Sequence, residues 1–272
     1  MKNLEKGKFY GTSRKHFHLN GLTIVDSEFY HFTDCPWHYH ENPHFAFTTA
    51  GNLVETHKKR HIQLSAGCLL YNHGDDPHCN SKYSDFVSAL HIDIDPNWFK
   101  KYDINYSRIE GVKEISNPII KNVFYNLFKE VKCFDNASHL SIEGLVLQSV
   151  SEMIQANLLQ TSARPAWLFK LKDLLYARYN EGISLKEIAL EINIHPVYLC
   201  QQFPIYFHCT LGEYIRKIKI EKAVELMFQN PHQSLTGIAY ASGFSDQSHF
   251  IRLFKKNIGV APLAFRKMID GS

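Results

Sequence analysis

Hydrophobic positions along the chain follow two rhythms. In the second half they recur at helical spacing, and the spacing itself repeats. Ser184, Leu185, Ile188 and Ala189 return fifty residues on as Ser234, Leu235, Ile238 and Ala239, and Ile194 returns as Phe244. One inserted residue moves the offset to 51, after which Leu199, Phe203 and Tyr214 return as Phe250, Phe254 and Phe265. One apolar skeleton used twice predicts two supersecondary units that bury equivalent faces. Each reads as a short helix, a turn and a second helix. Ser184 and Ser234 suit N-caps, and Glu187 completes a capping box in the first copy where Gly237 leaves the second without one. Gly243 and, in the first copy, Asn193 are the residue types that tolerate the positive φ of a tight turn.

The same spacing sorts the second helix of each unit into inside and outside. Leu199/Phe203 and Phe250/Phe254 lie four apart and face the core, which turns the positions between them outward. In the first copy the outward residues are Val197, Tyr198, Cys200 and Gln201; in the second they are Asp246, Gln247, Ser248, Ile251, Arg252 and Lys255. The layout is that of a helix-turn-helix, and an exposed Arg and Gln suit bidentate contacts to base edges. The first set is much less basic.

Further upstream, apolar residues at 119, 120, 123, 124, 127, 128 and 131 make a helical stripe over Asn117–Val131, and a second helix is expected over Ser141–Leu159. The first hundred residues differ again. Short β-prone stretches, Leu22–Phe29, Phe45–Thr49, His61–Leu64, Cys68–Tyr71 and Phe86–Ile94, are separated by Gly, Pro, Asn and Asp turns. They predict an antiparallel β-barrel or jelly roll. The fold class expected is therefore α+β in two domains: a barrel over 1–110 with a helical packing or dimerisation segment at 111–160, a linker at 161–165, and an all-α domain over 166–272. Pro165 is placed to open the next helix.

Composition refines this picture. Lys and Arg outnumber Asp and Glu by 13 to 9 over residues 165–272 but stand at 17 to 18 over residues 1–164, so the basic excess lies with the repeated units. An excess of that size makes DNA affinity depend on clustered phosphate contacts and fall with salt. No segment has the run of about eighteen apolar residues that spans a bilayer, and the start MKNLEKGKFYG lacks a signal-peptide stretch, so a cytoplasmic protein without a membrane partner is expected. Six cysteines with no CxxC pair are read as buried free thiols rather than a disulfide or zinc framework. No catalytic triad or phosphate-binding glycine loop is visible, so an enzyme is not expected.

The stretches LGEYIRKIKIEKAVELM and GIAYASGFSDQSHFIRLFKKNIGVAP resemble the AraC/XylS family of bacterial transcription regulators over about Ala166–Lys267. The resemblance implies a seven-helix domain whose two recognition helices enter successive major grooves, joined by a rigid central helix. It also implies half-sites one helical turn apart. Three residues depart from the family pattern. Pro204 removes a backbone donor late in the first recognition helix, His208 replaces a helix-ending glycine that Gly259 supplies in the second copy, and Lys219 replaces a common arginine.

A second resemblance lies upstream. WHYHENPHFAFTTAG is similar to the first cupin motif, with His38 and His40 on one strand face, His44 where that motif carries a glutamate, and Gly51 following. LSAGCLLYNHGDDPHCN is similar to the second motif and places His78 at its histidine. Eleven of the sixteen histidines lie within residues 1–91. The expected sensor pocket is lined by Trp37, His38, His40, His44, Phe45, Phe47, Tyr71 and His78, with no cofactor required; a divalent transition metal on His38, His40, His44 and His78 is the alternative occupant. The family resemblance implies a homodimeric, effector-responsive activator that binds double-stranded promoter DNA and contacts RNA polymerase. Two rivals remain at this point: a metal-dependent cupin enzyme, or a ligand-free dimerisation barrel, fused to the DNA-binding domain.

Overall fold

The structure, a computed structural model, describes residues 2–30, 35–58, 60–81, 84–109, 111–161 and 165–270. The chain divides into two compact units, one of Met1–Asn117 with Leu127–Val150 and one of Pro118–Asn126 with Ser151–Ser272.

The first unit is rich in sheet. It runs through β1 (Lys2–Leu4), β2 (Thr12–Leu19), β3 (Leu22–Tyr30), β4 (Cys35–His40), β5 (His44–Ala50) and β6 (Asn52–His57). There follow β7 (Arg60–Ser65), β8 (Leu69–Asn72), β9 (His78–Ser81), β10 (Phe86–Ile94), helix α1 (Pro96–Lys101), a 3-10 turn at Tyr106–Arg108 and β11 (Lys113–Glu114). Helices α2 (Pro118–Lys132) and α3 (Ser138–Thr161) come next, each divided between the two units.

The strands form a five-stranded sheet in the order β1, β4, β9, β6, β7 and a six-stranded sheet in the order β11, β8, β5, β10, β3, β2. Of the expected antiparallel β-barrel or jelly roll, no closed barrel is found among the described residues: there are two sheets, and the pairing departs from antiparallel where β1 runs parallel to β4. Gly51 ends β5 with φ +75°, where a Cβ would lie 2.0 Å from the Phe86 carbonyl oxygen, so no other residue fits that corner.

Strand alternation explains how the six-stranded sheet is used. Phe45 and Phe47 share one face of β5; Phe45 meets Tyr71 at 5.1 Å and Phe47 meets Phe128 of α2 at 6.2 Å between ring centroids. Burying each such ring contributes about 1.5–3 kcal/mol. His44, Ala46 and Thr48 occupy the opposite face. Both faces are covered, so β5 shows no alternation of apolar and polar residues.

The second unit is helical: α4 (Trp167–Ala177), α5 (Leu185–Glu191), α6 (Pro196–Phe207), α7 (Leu211–Gln229), α8 (Leu235–Ala241), α9 (Gln247–Ile258) and α10 (Pro262–Asp270). Ile188, Ala189, Leu199, Phe203, Tyr214 and Ile218 pack into one core with Leu171 and Leu175 of α4. Ser184 and Ser234 cap α5 and α8, and only the first forms the reciprocal box with Glu187.

The boundaries expected at 110, 160 and 165 differ from this division, because the first turns of α2 belong with the helical unit. There Lys121 is buried and its Nζ lies 3.0 Å from Glu221 and 2.6 Å from Glu225 of α7. Asn122 and Asn126 of α2 donate to the carbonyls of Lys217 and Asn257. Of the expected linker, Thr161 ends α3, Pro165 accepts the Leu168 amide just before α4, and residues 162–164 lie outside the described residues. Cys35 is buried, but Cys133 and Cys200 are exposed, so not every thiol is the buried one expected. Among the described residues no helix is long and apolar enough to cross a membrane.

Candidate functional site

Helices α6 and α9 are built alike. Each has 12 residues, an extended N-cap residue (His195 or Asp246) whose side chain accepts a backbone amide, and a left-handed C-cap (His208 at φ 52° or Gly259 at φ 84°). Pro204 neither ends nor shortens α6, and His208 adopts the conformation that glycine supplies in the second copy. The turns before them use Asn193 at φ 56° and Gly243 at φ 80°. Gly243 is also packed tightly, since a Cβ there would meet Asn180 Cα at 2.5 Å. Lys219 of α7 secures that turn by donating to the Gly243 carbonyl at 2.5 Å.

The outward sets fall where helical spacing places them, with two corrections. Val197, Tyr198, Cys200 and Gln201 on α6 and Ser248, Arg252 and Lys255 on α9 are exposed, while Ile251 is half-buried. Asp246 is engaged as the cap, its carboxylate accepting the His249 amide at 2.7 Å, which holds its acid below the usual carboxylate range. Gln247 is half-buried and accepts a hydrogen bond from Thr236 at 2.9 Å. Gln247 keeps its Nε2 donors unengaged in any hydrogen bond of the described residues. Lys256, absent from the expected set, is exposed beside Lys255.

In the sheet-rich unit a cavity of about 50 Å³ gathers His38 and His40 from β4, His44 from β5, Glu55 from β6, His78 from β9 and His91 from β10. Register creates the cluster, because His38 and His57 both pair with His78 across adjacent strands. His38 Nδ1 donates to the Pro36 carbonyl at 2.8 Å and His78 Nδ1 to that of Asp76 at 3.0 Å. A carbonyl can only accept, so both rings carry a proton on Nδ1, and Nε2 is the atom each has left for a ligand.

Ligand atoms of His38, His40 and His78 all lie within 4.8 Å of one another. Imidazole ligands about 2.1 Å from a tetrahedral ion stand roughly 3.4 Å apart, so small side-chain rotations close the set. Burial, with the neighbouring His78, lowers the His38 pKa to about 4, and burial lowers His40 as well, so both rings are neutral and able to ligate. Burial alone would raise the acid of Glu55, but His78 and the His57 hydrogen bond at 3.0 Å hold it at about 2, leaving a buried carboxylate at the same wall.

Five of the expected ligand or lining residues are placed differently from expectation at this cavity. His44 lines the cavity but has both nitrogens engaged, Nε2 by the Asn72 amide at 3.2 Å and Nδ1 near the Asn42 carbonyl at 3.5 Å, and stands outside the three-histidine group. Phe45, Phe47 and Tyr71 lie on the far face of the sheet, and Trp37 is 42 % exposed and outside the lining. Glu55 and His91 were missed. Their signal was a polar residue on the inward phase of a strand, and Glu55 shares that phase with Leu53 and His57. Both His91 nitrogens lack a hydrogen-bond partner among the described residues, and its ring stacks on Phe9 at 4.0 Å. A larger groove of about 440 Å³ shares Tyr10, Phe29 and Cys35 with the cavity.

A family profile described as a helix-turn-helix domain matches residues 179–268, the span holding α5 to α9 and most of α10. The probable transcription factor PqrA of Proteus vulgaris is 38 % identical over 88 residues, covering 32 % of this chain and 71 % of that protein. The chain belongs to the AraC/XylS family of transcription regulators. A second relative, the uncharacterized HTH-type transcriptional regulator YobQ of Bacillus subtilis, is 23 % identical over 235 residues, 85 % of this chain and 89 % of its own. The structure of apo ToxT from Vibrio cholerae aligns over 92 % of this chain and 98 % of its own, with 14 % identity and a TM-score of 0.42. As an AraC-type protein the chain is a DNA-binding transcription regulator.

Proposed function

We propose that this regulator reads promoter DNA with both α6 and α9 and takes its signal at the histidine-lined cavity. The equivalence of the two helices in caps, length and buried phase supports paired readers. Half-sites one turn apart suit such a pair, a homodimer doubles the contacts, and contact with RNA polymerase makes the bound protein an activator.

For the signal, the observation that carries the reading is the convergence of His38, His40 and His78 beside Glu55. Imidazoles beside a carboxylate match a divalent transition metal, and a cavity of about 50 Å³ suits an ion better than an organic molecule. The ion would supply a positive pole for an oxygen-bearing effector lying in the adjoining groove. Footprinting of the full chain on upstream DNA, with and without manganese, iron, nickel or zinc, tests this. Two protected stretches one turn apart are expected, with an occupancy that depends on metal. His38→Ala and His40→Ala should keep the footprint and lose the dependence. A footprint indifferent to every metal in the wild type retires the metal signal and leaves the DNA-binding reading standing.

A further inference from the structure

The 51-residue offset makes the exposed faces of α6 and α9 comparable position by position. His195 corresponds to Asp246, Leu199 and Phe203 to Phe250 and Phe254, and His208 to Gly259, so the two helices share one rotational phase. In that phase Gln201 occupies the place of Arg252, Pro204 that of Lys255 and Ile205 that of Lys256, all six exposed. Every cation of the α9 face is replaced by an uncharged residue on α6. Among the described residues neither Gln201 nor Arg252 has a hydrogen bond or ion pair to another side chain, so both are free for a partner.

A glutamine amide offers a donor and an acceptor, the pattern that matches adenine N7 and N6–H, whereas an arginine fork offers donors only and matches guanine O6 and N7. Val197, 56 % exposed one turn before Gln201, adds an apolar surface for a thymine methyl. We infer that the two helices read different bases: Gln201 selects adenine under α6, Arg252 selects guanine under α9, and Lys255 with Lys256 holds the phosphates beside the second site. The inference rests on the reading of both helices as DNA readers. It implies an operator of unlike half-sites, with affinity and salt dependence concentrated under α9.

Selection of the full chain on randomised duplex tests it. The wild type should recover an adenine and a guanine position one turn apart, each preferred by roughly 5- to 140-fold. Gln201→Arg should convert the first position to guanine and leave the second unchanged; Arg252→Gln should convert the second to adenine, and Lys255→Gln combined with Lys256→Gln should flatten the salt dependence while leaving both base preferences in place. All four residues are exposed, and circular dichroism verifies folding of each variant. Recovery of the same sequence by wild type, Gln201→Arg and Arg252→Gln overturns the inference while the regulator reading stands. Failure of the wild type to select any sequence removes both.

Discussion

The two units bury polar chemistry in opposite ways. In the helical unit Lys121, Glu221, Glu225 and Tyr176 close a network in which each charge faces its opposite and the Tyr176 hydroxyl donates to Glu221 at 2.9 Å. Burial alone would lower the Lys121 ammonium, yet Tyr125, Glu221 and Glu225 hold it well above its ordinary pKa, so the ion stays charged. In the sheet-rich unit burial instead lowers the pKa of His38, His40, His44 and His91, and Nδ1 of His40 and both nitrogens of His91 have no partner among the described residues. A satisfied network spends its hydrogen-bonding capacity on architecture. An unsatisfied one keeps that capacity for a ligand, at a cost in stability.

Breaking the satisfied network has the largest expected effect. Lys121→Met strands Glu221, of which 1 % is exposed, and should destabilise the helical unit by roughly 3–5 kcal/mol, read by denaturant unfolding with hydrogen exchange resolved by unit. A loss below about 1 kcal/mol would show that the network is not structural.

Acid acts on the other unit. Burial and neighbouring histidines hold both His44 and His91 at a pKa of about 3, below the ordinary 6.5. Between those values the unfolded chain binds protons that the native one refuses. Stability is therefore full above pH 6.5 and declines as pH falls toward 3. By pH 5 the loss is about 2 kcal/mol for each imidazole. Thermal unfolding across pH 7.5 to 5 should show the sheet-rich unit melting first, and His91→Phe should blunt the effect.

A metal should reverse the difference between the units. At about a hundred times its dissociation constant a divalent transition ion stabilises the unit that binds it by roughly 2.7 kcal/mol. His78→Ala should abolish the shift while the helical unit is unmoved. An equal shift in the His78→Ala variant would detach metal binding from this cluster. The smallest effect comes from replacing both partners of the ion pair: Lys121→Met combined with Glu221→Leu should recover most of the single-variant loss, because apolar groups of similar volume substitute for a buried pair at little cost.

How much of this was legible in the sequence follows from which forces act locally. The paired helices were readable because caps, turn residues and i, i+4 core pairs are short-range, and Ser184, Asn193, Leu199 and their counterparts occupy the places that spacing assigns. Asp246 illustrates the limit, since an acidic residue ahead of a helix is equally good as a cap and as a reader. Spacing does not separate Phe45 and Phe47 from His44, because β5 is covered on both faces and loses its apolar–polar alternation, and Tyr71 joins them only through the register of β8. The motif spacing groups His44 with the ligands and cannot show its bond to Asn72, which lies 28 residues away on another strand. Glu55 and His91 belong to no motif and reach the cavity only through strand register.

The contacts of α2 bear on how the protein is made. Residues 118–126 leave the ribosome well before α4 to α10, yet Lys121 and Asn126 neutralise or cap groups on α7 and α9. The DNA-binding half is therefore discontinuous in the chain, and its fold closes only after both pieces have been synthesised. A fragment starting at residue 166 would contain every base-reading side chain and lack the Lys121 ammonium that faces Glu221 and Glu225.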